Sequence, residues 1–82
     1  MIVEFTVEHA GCASCAELVR TSLSVLGAVE RIDIDEASDV ARVRLVPARE
    51  VTTDEVDDLL ADASEGSGHG YRVAPGSWAW TS

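Results

Sequence analysis

Cys12 and Cys15 are the only thiols in this 82-residue chain, and they stand as Cys-x-x-Cys in the run His9-Ala10-Gly11-Cys12-Ala13-Ser14-Cys15. The run joins an alternating apolar segment, Ile2 to Val7, to a helix-like segment, Ala16 to Leu26. The two thiols therefore straddle a helix start, where backbone amides lack partners and the helix dipole is positive. Such a setting favours thiolate over thiol, and the thiolate is the form that binds soft metals and enters disulfide exchange. The residues leave three chemistries open: binding of a soft ion by a dithiolate, thiol–disulfide exchange, and an inert pair or a local disulfide.

Two thiolates with few other ligands suit Cu(I), which accepts low coordination and prefers sulfur. Zn(II) usually takes four ligands, and the cysteines supply two. The chain has two histidines. His69, between Gly68 and Gly70, is the candidate third ligand or proton-linked gate; imidazole titrates near neutral pH. His9 sits at the exit of the first apolar segment and is the weaker candidate. No nucleophile elbow, phosphate-cradling glycine loop or paired carboxylates stand out, so the chain reads as a non-enzyme.

The surrounding pattern must position these groups. Val3, Phe5 and Val7 alternate with Glu4 and Thr6, as in a half-buried strand. Ala16, Val19, Leu23 and Leu26 recur at helical spacing, and Gly27 follows as a stop. Val29 to Asp35 reads as a second strand with Ile32 and Ile34 inward. Val40 to Val46 reads as a third, with Ala41, Val43 and Leu45 inward. A turn at Glu36-Ala37-Ser38-Asp39 makes these two an antiparallel hairpin, on which outward arginines and aspartates can pair. Thr52 followed three positions later by Glu55 is a capping-box pattern. Val56, Leu59, Leu60 and Ala63 then line one helix face, with Asp54, Asp57, Asp58 and Asp62 opposite. Gly70 to Val73 is a short fourth strand, and Pro75-Gly76 breaks it. The order is that of an α+β, ferredoxin-like βαββαβ fold, two helices on a four-stranded antiparallel sheet. Residues 1–74 form one domain. Residues 75–82, with Trp78 and Trp80, form a C-terminal tail that the pattern does not place.

The net charge of −9 argues against nucleic acid, whose phosphates need basic patches, and against anionic membrane surfaces. An acidic exterior can steer a basic partner protein. No apolar run is long enough to span a bilayer, so no direct membrane insertion is expected. Few cysteines and no visible leader make the cytoplasm the expected compartment.

The run Gly-Cys-Ala-Ser-Cys opening a helix, then Val19, Leu23 and Leu26, then Gly27 to Asp35, resembles the heavy-metal-associated domain family. That family comprises copper chaperones, metal-binding domains of P-type ATPases and mercury-binding proteins. Gly70-Tyr71 opening the last strand fits as well. The resemblance covers roughly residues 1–74. It implies that Cys12 and Cys15 bind the metal, that the fold is ferredoxin-like, and that the partner is a metal-transporting P-type ATPase or another protein with a similar site. The family usually has Met two residues before the first Cys, where this chain has Ala10, and often a lysine in the last loop, where His69 stands. The expected function is therefore binding and transfer of a soft ion, Cu(I) first, by thiolate ligand exchange, as in a metallochaperone or a transporter's metal-binding domain. The alternatives are a dithiol–disulfide redox protein, a zinc- or mercury-binding domain, and a non-transport interaction domain of the same fold.

Overall fold

The computed structural model describes residues 1–65 and 70–81. The elements run β1 (Ile2–Glu8), α1 (Ala13–Leu23), β2 (Gly27–Asp35), β3 (Val40–Pro47), α2 (Thr53–Ser64), β4 (Arg72–Val73) and β5 (Ala79–Thr81). The sheet is antiparallel throughout, with strand order β2-β3-β1-β4 and β5 also paired to β1. The expected ferredoxin-like order is present, with one strand more than the sequence pattern indicates.

The period of two in β1 and β3 sends Val3, Phe5, Val7, Ala41, Val43 and Leu45 to one face, where all six are buried. Val19 and Leu23 of α1 and Val56 and Leu60 of α2 close that face into a single core. Burying one such aliphatic side chain contributes roughly 1.5–3 kcal/mol. Ile32 and Ile34 were expected inward as well. Ile32 packs partly against the core, but Ile34 is 39% exposed, because β2 is the edge strand; Ala41 and Val7, at the same level on the inner strands, are fully buried.

The register sets Asp33 opposite Arg42, but among the described residues the cross-strand ion pair on the hairpin joins Arg44 to Glu30 rather than to an aspartate. A register irregularity between Val29 and Arg31 sets Arg31 opposite Arg44. Arg44 Nε lies 2.9 Å from Glu30 Oε1 across the hairpin, and Arg31 Nε lies 2.8 Å from Asp33 Oδ2 along one strand. A trough of about 430 Å³ on this open face of the sheet is lined by Glu4, Thr6, Arg31, Asp33, Arg42 and Arg44 among others. It is not at the cysteines.

The segment read as a tail completes the edge of the sheet. β3 occupies one side of β1 from Val3 to Glu8, so β4 and β5 share the other. Pro75-Gly76 interrupts this edge, with Gly76 at φ 80°. Across the interruption the Ser77 hydroxyl stands in for a strand carbonyl and accepts from Thr6 N at 3.1 Å. Trp78 stacks on Phe5 with ring centroids 5.2 Å apart, and Trp80 meets Trp78 edge-on at 5.9 Å. The apolar bulk of the two indoles, together with the β5 ladder, is what holds this segment against β1.

Helix ends follow local chemistry. α2 begins with Thr52 as N-cap, its Oγ1 accepting from Glu55 N at 3.2 Å. Glu55 does not close the capping box; its carboxylate binds Arg49 at 2.6 Å instead. Asp57, expected on the solvated acidic face, turns inward and accepts from Val73 N at 2.7 Å. It thereby ties α2 to the short strand β4. No helix among the described residues is long and apolar enough to cross a membrane.

Candidate functional site

α1 starts at Ala13, earlier than its apolar stripe suggests, because Cys12 serves as its N-cap. Cys12 has extended backbone (φ −127°, ψ 160°), and its Sγ accepts from Cys15 N at 3.3 Å. Its carbonyl accepts the first intrahelical bond, from Ala16 N at 3.0 Å. Ser14 Oγ lies 3.4 Å from the same sulfur. The first turn of α1 holds no acidic side chain. On a reduced Cys12, a thiolate would be met by an amide, a hydroxyl and the positive end of the helix.

The helical stripe of Val19 and Leu23 continues through Cys15, which is 1% exposed and part of the core. Cys12 is half-buried and packs at the rim of that core. The pair is thus asymmetric, one sulfur fixed inside and one at the surface. Their Cα atoms are 5.2 Å apart, and in this structure the two sulfurs are joined as a disulfide. The open dithiolate expected from the sequence is therefore seen here in its oxidised form. The physical reason is proximity: the N-cap geometry turns both side chains to the same side of the helix start, within the usual span of a bridge.

The run before Cys12 is shaped by contacts from the β2–β3 turn. His9 has φ 62°, and its Nδ1 lies 3.8 Å from Asp39 Oδ2. Ala10 is fully buried, and its N–H donates to the Asp39 carbonyl at 3.1 Å. Gly11 N donates to Asp39 Oδ1 at 3.0 Å. A Cβ on Gly11 would lie 2.5 Å from Asp39 Cα, so only glycine allows the turn to come this close. Tyr71 is buried just ahead of β4. Burial raises its phenol pKa above the ordinary value, and the Asp39 charge adds to the rise.

The structure brings Cys12 and Cys15 together and turns His9 toward Asp39. Among the described residues, no group of three or more His, Cys, Asp or Glu side chains is arranged to hold a metal ion. His69 lies outside the described residues. The surface beside the sulfurs is exposed at Ala13, Ser14 and Leu18, the last at 40%. Asp39, which the sequence pattern shows only as part of the turn after β2, is a site-forming residue. Its one local signal is that Asp, like Asn, tolerates the left-handed backbone found here at φ 56°.

Several solved structures share this fold. The solution structure of the yeast copper transporter domain CCC2A, determined in apo and Cu(I)-loaded states, aligns with a TM-score of 0.59 at 23% identity, covering 92% of this chain and 99% of that one. A second structure of CCC2A gives 0.56 at 20% identity, covering 93% and 97%. Oxidised MerP from Ralstonia metallidurans CH34 gives 0.53 at 19% identity, covering 89% and 97%. The ferredoxin-like βαββαβ fold expected from motif and element order is thus the fold observed, and these structures share it. No protein-family model matches the chain, and no curated protein matches it.

Proposed function

We propose that the reduced chain binds one soft metal ion, Cu(I), through Cys12 and Cys15 and passes it on by ligand exchange. The observation that carries this reading is the placement of both sulfurs on one side of an uncharged helix start, one anchored in the core and one at the surface. A metal–sulfur bond is about 2.3 Å, so a chelated ion sits between sulfurs farther apart than in a bridge. The half-buried Cys12 is the side chain free to turn for that. One monovalent ion on two thiolates carries one net negative charge, which the α1 amides stabilise. The similarity to a domain described as a copper transporter, solved with Cu(I), supports the choice of ion.

In the transfer step a partner thiolate attacks the two-coordinate ion from the Cys12 side. A mixed three-coordinate intermediate forms, and the two sulfurs of this chain leave in turn. The partner is a metal-transporting P-type ATPase or another protein with a similar dithiolate, in the cytoplasm. Ala13, Ser14 and Leu18 form the contact rim, and the acidic exterior favours a basic partner. In this reading the chain is a carrier and not an enzyme.

The bridge between Cys12 and Cys15 favours a second reading, a dithiol–disulfide redox protein, in which Cys12 is the attacking sulfur. A competition titration of the fully reduced chain against Cu(I) and Zn(II) chelators of known affinity decides between the metals, with His69→Ala as a second arm for the third-ligand proposal. The expected result is tight Cu(I) binding at one equivalent and weak Zn(II) binding, both lost on oxidation and regained on reduction. Tight zinc with feeble copper overturns the Cu(I) assignment. Turnover in a reductase-coupled assay containing a chelator supports the redox reading instead.

A further inference from the structure

We propose that Asp39 is a positioning residue for the cysteine loop, and that the β2–β3 turn acts through it as a clasp on the backbone just ahead of Cys12. One residue engages three consecutive residues of the loop, 28 positions away from Gly11. Its carbonyl takes Ala10 N, its Oδ1 takes Gly11 N, and its Oδ2 faces His9 Nδ1. Two adjacent backbone donors, buried at Ala10 and Gly11, are thus satisfied by one side of one turn residue. The fit is steric as well as polar, because Gly11 presents no Cβ to the Asp39 backbone.

The consequence falls on Cys12. Its cap geometry depends on where the chain arrives from β1, and His9 at φ 62° makes that arrival a sharp turn. Buried Ala10 brings only a methyl group to the core. The clasp supplies the missing constraint and sets Cys12 Sγ over the α1 amides. Loss of the clasp leaves the loop held at its ends and by the Ala10 methyl group, and two sulfurs that must meet in one geometry lose part of their preorganisation.

This inference rests on Cys12 and Cys15 being the metal-binding pair, and one arm of its test needs no metal. Asp39→Gly keeps the left-handed backbone and removes the carboxylate. Asp39→Asn keeps both the backbone and an oxygen acceptor. The full chain and both variants are equilibrated with reduced and oxidised glutathione, then titrated with Cu(I) against a chelator. In Asp39→Gly the equilibrium constant for closing the Cys12–Cys15 bridge and the Cu(I) affinity each fall about tenfold or more, and Asp39→Asn restores both to within about threefold. A bridge equilibrium in Asp39→Gly equal to wild type overturns the assignment of the Asp39 carboxylate as the positioning group, as does an Asp39→Asn variant as impaired as Asp39→Gly. Hydrogen exchange on the unaltered reduced chain covers the case where Asp39→Gly does not fold. Slow exchange at Ala10 and Gly11 is expected, and free exchange at both overturns the proposal. If Asp39→Gly shows the glutathione effect while the wild-type chain takes no Cu(I), the clasp stands and the metal reading falls.

Discussion

Under reducing conditions Cys12→Ser and Cys15→Ser each lower Cu(I) affinity, by roughly a thousandfold, but only Cys15→Ser also weakens the fold. The common loss follows from chelation: the second sulfur binds as an intramolecular ligand, and such tethering raises affinity by about 10²–10⁴ over a single contact. The difference follows from burial. Serine at position 12 is a good N-cap, able to accept from the amide that Cys12 Sγ now accepts from. Position 15 is 1% exposed within an aliphatic core. A hydroxyl there costs about 1–3 kcal/mol where it cannot be fully paired. Chelator competition reads the first effect and urea unfolding the second. Equal stability of the two reduced variants contradicts the asymmetric site.

Leu23→Ala removes a large fraction of the stability of the domain. Leu23 is fully buried at the last turn of α1, in the core beneath β1 and β3. Truncation of such a leucine costs about 2–5 kcal/mol, against a total of about 5–15 kcal/mol for native domains that small domains reach only in part. With a urea slope of about 1–3 kcal/mol/M, the unfolding midpoint drops by roughly 1 M or more. Val25→Ala, at a site 72% exposed, serves as the control and stays within about 0.5 kcal/mol of wild type. Metal affinity of the folded fraction of Leu23→Ala is the useful companion measurement. It stays near wild type if the core positions the loop only by keeping α1 in place.

The contrast between these positions also shows what a single sequence can carry. Alternation in Val3, Phe5 and Val7 and the helical stripe of Val19 and Leu23 are local patterns, and each element they imply is present. Element order then restricts the topology, because hairpins and two helices on one face leave few alternatives. What was not legible depends on distant partners. Asp39 looks like any turn acid until the fold sets it against Gly11. Asp57 looks like a member of a solvated stripe until β4 presents Val73 N. Trp78 and Trp80 follow Pro75-Gly76, which reads as an end. In space the break is only an interruption of an edge strand, carried across by Ser77. The start of α1 was placed late for a related reason: its cap is a cysteine, not one of the usual capping side chains.

The candidate site divides in the same way. The spacing and helix-start position of Cys12 and Cys15 were readable, since both depend on neighbours in sequence. Their inequality was not, because it arises from Cys15 continuing the core stripe while Cys12 ends it. The pairing of His9 with Asp39 likewise arises from the β2–β3 turn reaching the end of β1.

X-ray absorption at the copper edge of the reduced, Cu(I)-loaded full chain tests the central claim most directly, since it counts the atoms bound to the ion. A dithiolate formed by Cys12 and Cys15 gives two sulfur neighbours at one copper per chain. A first shell of nitrogen and oxygen, or one with a single sulfur, contradicts it.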